Sequence, residues 1–139
     1  VTLKFVQDNI WLILIALVSA VGLVWPSIAR RFSGVPQVGV AEAVTLINRR
    51  DALVLDVREQ SEHDRGRIPG ARLIPAAQLK TRLGELERLK QRPIVVHCAT
   101  GNRSQGAAVV LKGAGFPEVF NLQGGMGAWQ QAGMPVEKP

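Results

Sequence analysis

The stretch Pro93-Ile94-Val95-Val96-His97-Cys98-Ala99-Thr100-Gly101-Asn102-Arg103-Ser104 constrains the fold of this chain more than any other. Proline opens an apolar run, Ile94 to His97, that reads as a strand. The run ends in the only cysteine of the chain, and a short turn holding a glycine and an arginine follows. A helix-forming run then starts at Ser104 and carries Ala107, Ala108, Leu111 and Ala114 inward, until Gly113-Ala114-Gly115 ends it. A strand feeding a loop and then a helix is one half of a repeating strand–helix arrangement, so the flanking sequence is expected to supply more of the same.

It does. Ser33 to Gln37 reads as a linker with Gly34 and Pro36 as breakers, and Val38 to Val40 as a short strand. Val40, Ala43, Val44 and Ile47 fall at helical spacing, predicting a helix over 41–50. Ala52 to Val57 is a buried-strand run that ends near Asp56, and the charged stretch Glu59 to Arg65 reads as a solvated helix stopped by Gly66. Arg72 to Ile74 is a brief strand. Leu79, Leu83, Leu86 and Leu89 mark one face of a helix expected over 76–90. Glu118 to Asn121 is a fifth strand, Met126 to Ala132 a last helix bearing Trp129, and the tail beyond Met134 is expected to be loose. The fold class is therefore α/β: a central five-stranded parallel sheet covered by helices on both faces. Domain boundaries are expected at 1–32 for an N-terminal segment, 33–37 for the linker, 38–134 for the folded domain and 135–139 for the tail. In such sheets the functional crevice lies beyond the C-terminal strand ends, where both Cys98 and Asp56 fall.

The N-terminal segment has its own physics. No charged residue lies between Asp8 and Arg30, and the 21 residues from Asn9 to Ala29 would span about 31 Å as a helix, matching a hydrocarbon core. Trp11 and Trp25 stand near its ends, where indoles prefer the interface, and Pro26 ends it. A core helix would show a polar face, and this one shows none. A cleaved signal peptide is the rival: Lys4 gives a positive start and Ser27-Ile28-Ala29 fits a small-x-small cleavage site. Asp8 in the leading region, Arg30-Arg31 directly after that site and the length of the run favour a retained anchor. With Lys4 offset by Asp8, the Arg30-Arg31 pair puts the C-terminal side in the cytoplasm. A lone thiol suits that reducing compartment.

Composition narrows the function classes. One cysteine excludes an internal disulfide, and one cysteine with two histidines argues against structural zinc. No metal and no cofactor is expected. The net charge of +6 is spread as single basic residues among acids, and only three aromatics lie beyond Phe32. Nucleic acid is therefore not an expected partner, and an anionic membrane or anionic substrate is.

The loop carries the chemistry. A turn wrapped round a cysteine and running into a helix points backbone N–H groups at one spot, and the helix dipole and Arg103 add positive potential there. Such a nest binds an anion and lowers the pKa of the thiol within it. The bland alternative is a structural cysteine at a strand end; Gly101, Arg103, Ser104 and the following helix favour a nucleophile. Two enzyme designs use such a loop. Cysteine phosphatases place five residues between cysteine and arginine, with room for a tetrahedral phosphate. Here four residues separate Cys98 from Arg103, and the tighter cradle better matches a sulfur atom carried as a persulfide. His97 should point away from the loop interior, and no base is required if Cys98 is already ionised.

At this point the motifs resemble the rhodanese (sulfurtransferase) family over about 38–132. The matching pieces are Leu55-Asp56-Val57-Arg58 with Glu62; Gly66-Arg67-Ile68-Pro69-Gly70-Ala71; the loop Cys98 to Arg103; and Leu122-Gln123-Gly124-Gly125-Met126 with Trp129. With the N-terminal segment, the chain is similar to a bacterial membrane-anchored single-domain rhodanese, single-pass in the inner membrane through residues 9–29, its domain in the cytoplasm. The resemblance implies double displacement: Cys98 takes sulfur from thiosulfate or another persulfide donor and passes it to a thiol or protein acceptor. It also implies that the N–H groups of Ala99, Thr100, Gly101, Asn102, Arg103 and Ser104 cradle the persulfide, and that Arg103 helps bind the anionic donor. Asp56 and Arg58 would brace the site, with an Arg58–Glu62 contact expected. The family often has histidine at Arg67 and an aromatic residue at His63. Trp129 is read as core packing. The alternative function is a membrane-tethered sulfur-relay or protein-interaction module with little thiosulfate turnover.

Overall fold

Two of the three longest strands of the domain bury every residue, and in the third only Phe120 is partly exposed, with the pairing parallel throughout. Such strands need cover on both faces, and the computed structural model, which describes residues 2–32 and 34–139, supplies it. The chain divides into two compact units, 1–34 and 35–139.

The first unit holds α1 (Thr2–Asp8) and α2 (Ile10–Phe32). Within α2, Ile10–Ile28 is a helix long and apolar enough to cross a membrane, with mean hydropathy 2.2 and no buried residue in that window. Trp11 and Trp25 near its two ends are 77% and 64% exposed.

The second unit runs β1 (Gln37–Val38), α3 (Val40–Arg50), β2 (Leu53–Asp56), α4 (Gln60–Arg65), β3 (Arg72–Leu73), two 3₁₀ segments (Ala76–Thr81 and Leu83–Leu89), β4 (Ile94–His97), α5 (Asn102–Gly113), β5 (Val119–Leu122) and α6 (Gly125–Gln131). The five strands form one parallel sheet in the order β1-β5-β4-β2-β3. Period-two alternation sorts their side chains into two cores. Leu53, Leu55, Ile94, Val96 and Cys98 face α5 and the 3₁₀ segments, packing with Leu79, Leu86, Ala108 and Leu111. Val54, Val95 and Leu122 face the other way, against Ala43 of α3, Met126 and Trp129 of α6, and Ile68. The sheet, its parallel pairing and the packing role of Trp129 follow the sequence reading.

Five details differ. Pro26, expected to end the apolar helix, lies inside α2, which runs on to Phe32, because a proline removes only one of its backbone hydrogen bonds. The helix expected over 76–90 is instead two 3₁₀ segments joined at Arg82 (φ −112°, ψ 13°). Leu83, Leu86 and Leu89 recur every three residues, the 3₁₀ period, so each turn presents a leucine to the sheet; Leu86 is fully buried. Helix α5 starts at Asn102 rather than Ser104, because left-handed Gly101 caps it and draws Arg103 and Ser104 into its first turn. Residues 35–37 belong to the folded unit rather than a linker: Val35 is buried, the Pro36 carbonyl accepts a bond from the Asn121 N–H, and Gln37 pairs in β1. The stretch 135–139, expected to be loose, is tied back at Pro135 and Glu137. Arg67 and Glu137 exchange both backbone hydrogen bonds (2.9 and 2.8 Å), and the Trp129 indole donates to the Pro135 carbonyl at 2.8 Å.

Candidate active site

Strand β4 ends at His97, level with Asp56 of β2, so the next residue leaves the sheet at its C-terminal edge. Alternation turns the Cys98 side chain toward α5 and leaves it 1% exposed. Two helix N-termini hold the loop that follows. From α6, the Met126 N–H donates to the Cys98 carbonyl (2.8 Å) and the Gly127 N–H to the Ala99 carbonyl (3.2 Å). This approach explains Gly125: with φ 56°, a Cβ there would overlap the Cys98 carbonyl oxygen and lie 2.9 Å from the Ala99 carbonyl. The second is α5, whose first residues close the loop around the sulfur.

Hydrogen bonds to Sγ come from the Gly101 N–H at 3.1 Å and the Ser104 hydroxyl at 3.4 Å. Backbone N–H groups of Thr100 and Ser104 also face the sulfur. Burial by itself raises the pKa of the Cys98 thiol. The Ser104 hydroxyl and the N–H groups of Ser104, Thr100 and Gly101 together outweigh it, and the net pKa lies below the ordinary thiol value. Of the residues expected to form the cradle, Thr100, Gly101 and Ser104 aim donors at the sulfur. Ala99 instead gives its carbonyl to α6, Arg103 reaches outward to α4, and Asn102 is an exposed residue at the start of α5.

The charges around the loop are paired. Both Nη atoms of Arg103 bind the Glu62 carboxylate, at 2.8 and 2.9 Å. Arg103 holds the Glu62 pKa down to about 2, and Glu62 raises that of Arg103. The contact expected between Glu62 and Arg58 is therefore made with Arg103, because Arg58 turns inward. Arg58 donates Nε and Nη2 to the Asp56 carboxylate (2.8–3.1 Å) and Nη2 to the Gly66 carbonyl (2.7 Å). Asp56 is fully buried, and His63 Nδ1 lies 2.9 Å from its Oδ2. Burial pushes the Asp56 pKa up, but Arg58, His97 and His63 outweigh it and hold the carboxylate below its ordinary value. This cluster braces the strand edge beside the loop.

His97 points to the face opposite Cys98, as its place on the strand requires. It is fully buried, with neither ring nitrogen hydrogen-bonded, and its Nε2 is 3.9 Å from Asp56 Oδ2. Burial, partly offset by Asp56, pushes its pKa down to about 4, so the ring is neutral near pH 7. Among the described residues no cluster of histidine, cysteine, aspartate and glutamate could hold a metal ion. A cavity of about 310 Å³ adjoins the loop at Ala99 and is lined by Arg58, Glu62, Arg65, Met126 and Gln130.

Sequence reasoning missed one buried polar residue here. Asn121 of β5, 2% exposed, accepts a hydrogen bond from the Ser104 hydroxyl (2.5 Å) and donates to the Gly101 carbonyl (3.2 Å). The available signal is an asparagine inside an otherwise apolar strand.

A parallel sheet whose central strand delivers a thiol into a six-residue loop defines a recognisable class of domain. The Rhodanese-like domain model matches residues 39–132, and the chain belongs to that family. It is 36% identical over 96 residues to the uncharacterized protein YibN of Escherichia coli K12, covering 68% of this chain and 67% of YibN. It is 30% identical over 95 residues to the thiosulfate sulfurtransferase GlpE of Pseudoalteromonas translucida, covering 68% of this chain and 89% of that protein. Among solved structures, a rhodanese-related protein from Thermoplasma volcanium superposes with a TM-score of 0.67 at 31% identity, covering 73% of this chain and 97% of that one.

Proposed function

We propose that this protein is a sulfurtransferase that carries sulfane sulfur on Cys98. The observation that carries the reading is the set of donors converging on the Cys98 sulfur from Thr100, Gly101 and Ser104, inside a loop with one residue fewer between cysteine and arginine than cysteine phosphatases have. The Cys98 thiolate attacks the outer sulfur of thiosulfate. The S–S bond of the donor breaks, sulfite leaves with the electron pair, and Cys98 becomes a persulfide. An acceptor thiolate then attacks the outer sulfur, the Cys98 S–S bond breaks, and the thiolate is restored. The thiolate already favoured by the loop needs no general base, in keeping with the position of His97 on the far face of the sheet.

A second reading is favoured by one observation. Arg103, the loop cation, is neutralised by Glu62, which weakens the attraction for a free dianion and suits a persulfide delivered by a protein. Both readings meet in one experiment on the full-length protein. Rapid thiocyanate formation from thiosulfate and cyanide, lost in Cys98→Ala, supports the small-molecule donor. Background turnover together with sulfur gained from a persulfidated protein supports the relay. Absence of any sulfur uptake on Cys98 sinks both.

The apolar helix is read as an anchor with the domain on the cytoplasmic side of a bacterial inner membrane. The span of Ile10–Ile28 and the Arg30-Arg31 pair after it support this.

A further inference from the structure

The Ser104 hydroxyl has one proton and two acceptors within reach. Its oxygen is 2.5 Å from Asn121 Oδ1 and 3.4 Å from Cys98 Sγ. The orientation of the Asn121 amide is fixed by its neighbours. The Gly101 carbonyl can only accept, so the atom 3.2 Å from it is Nδ2, whose second N–H faces Gln37 Oε1 (2.9 Å) and Gln105 Oε1 (3.0 Å). The atom left facing Ser104 is therefore the carbonyl oxygen, an acceptor. While the hydroxyl donates to it, Ser104 offers the sulfur only a lone pair, which suits a protonated thiol. When Cys98 ionises, the hydroxyl must turn to Sγ and leave a buried amide oxygen without a donor.

We propose that Asn121 is a positioning residue that shares the Ser104 proton with the Cys98 sulfur and so limits how far the loop favours the thiolate. The consequence is chemical: a thiolate held too firmly is a weaker nucleophile, and the best attacking thiol ionises near the working pH. Asn121 also clamps the Gly101 carbonyl, which keeps the Gly101 N–H aimed at the sulfur 3.1 Å away. The charged groups nearby do not provide this tuning. Arg103 on α5 attracts the thiolate rather than limiting it and is paired with Glu62 on α4, His97 on β4 is neutral and on the opposite face, and α6 carries no ionisable side chain.

The inference rests on Cys98 being the nucleophile, but its test needs no sulfur transfer. Cys98 is the only cysteine, so the rate of alkylation by iodoacetamide against pH, measured on the full chain in detergent, titrates that thiol alone. Asn121→Leu frees the hydroxyl for the sulfur and is expected to lower the apparent pKa by about half a unit or more. In a Ser104→Ala background the same substitution should not lower the pKa, because only the loss of the Gly101 clamp is left to act, and that weakens a donor to the sulfur. Asn121→Asp, a stronger acceptor of similar size, should raise the pKa, and by more with Ser104 present than in the Ser104→Ala background. Equal shifts in both backgrounds, or no shift with either variant, would overturn the proposal. If Asn121→Leu does not fold, as judged by circular dichroism, the Asn121→Asp comparison across the two backgrounds decides in the same way.

Discussion

Ser104 and Gly125 make the loop quantitative at the level of single side chains. A hydrogen bond to a charged sulfur contributes about 1.5–3 kcal/mol, so Ser104→Ala should raise the Cys98 pKa by about one to two units. Alkylation rates measured against pH would read this directly, and an unmoved profile would mean that the backbone donors alone stabilise the thiolate. At Gly125 the prediction is steric. A Cβ overlapping the Cys98 carbonyl forces backbone to move, so Gly125→Ala should cost about 2 kcal/mol or more in stability and displace the loop. Denaturant midpoints for the two proteins give the energy, and sulfur-transfer rates under conditions where the variant is folded give the loop effect. A variant as stable and as active as the parent would show that α6 can retreat without cost.

Strand β4 and its neighbours set the pH response. The unfolded chain takes up a proton at His97 near pH 6.5, whereas the folded ring resists until about 4. The unfolded state therefore binds more protons in that window, and stability falls as pH drops from 6.5 to about 4, by roughly 3 kcal/mol from this group. The depressed Asp56 pKa acts in the same sense at lower pH, since its contribution is lost as the folded carboxylate protonates. His97→Leu removes a ring whose nitrogens have no partners, so it should leave stability at pH 7 nearly unchanged or higher and flatten the acid limb. Urea titrations at pH 7 and pH 4.5 check this; parallel pH dependences in the two proteins would contradict it.

The same elements show what the sequence can reveal. Period-two runs such as Leu53 to Asp56 and Ile94 to His97 encode burial and direction locally, so the parallel sheet and the placement of Cys98 are legible. The Arg103–Glu62 pair and the Ser104–Asn121 bond join residues 41 and 17 positions apart, and no local pattern specifies them. The two 3₁₀ segments read as one helix because a leucine every three or four residues fits both periods. The tail reads as loose because a short stretch without periodicity carries no sign of the backbone pairing between Arg67 and Glu137.

For the whole molecule, an apolar helix and a folded domain that bears the thiol are two units with separate tests. The anchor reading predicts that the full chain, expressed in bacteria, resists extraction by alkaline carbonate and keeps the residues before Arg30. A soluble periplasmic product starting at Arg30 would instead make the segment a signal peptide. The central claim, that Cys98 carries sulfur, is tested most directly by intact mass spectrometry of the full-length protein after thiosulfate or a persulfide donor. The expected result is a gain of one sulfur atom that maps to Cys98, disappears with cyanide or a thiol acceptor, and is absent in Cys98→Ala. An unchanged mass with both donors, while Cys98 still reacts with iodoacetamide, would contradict it.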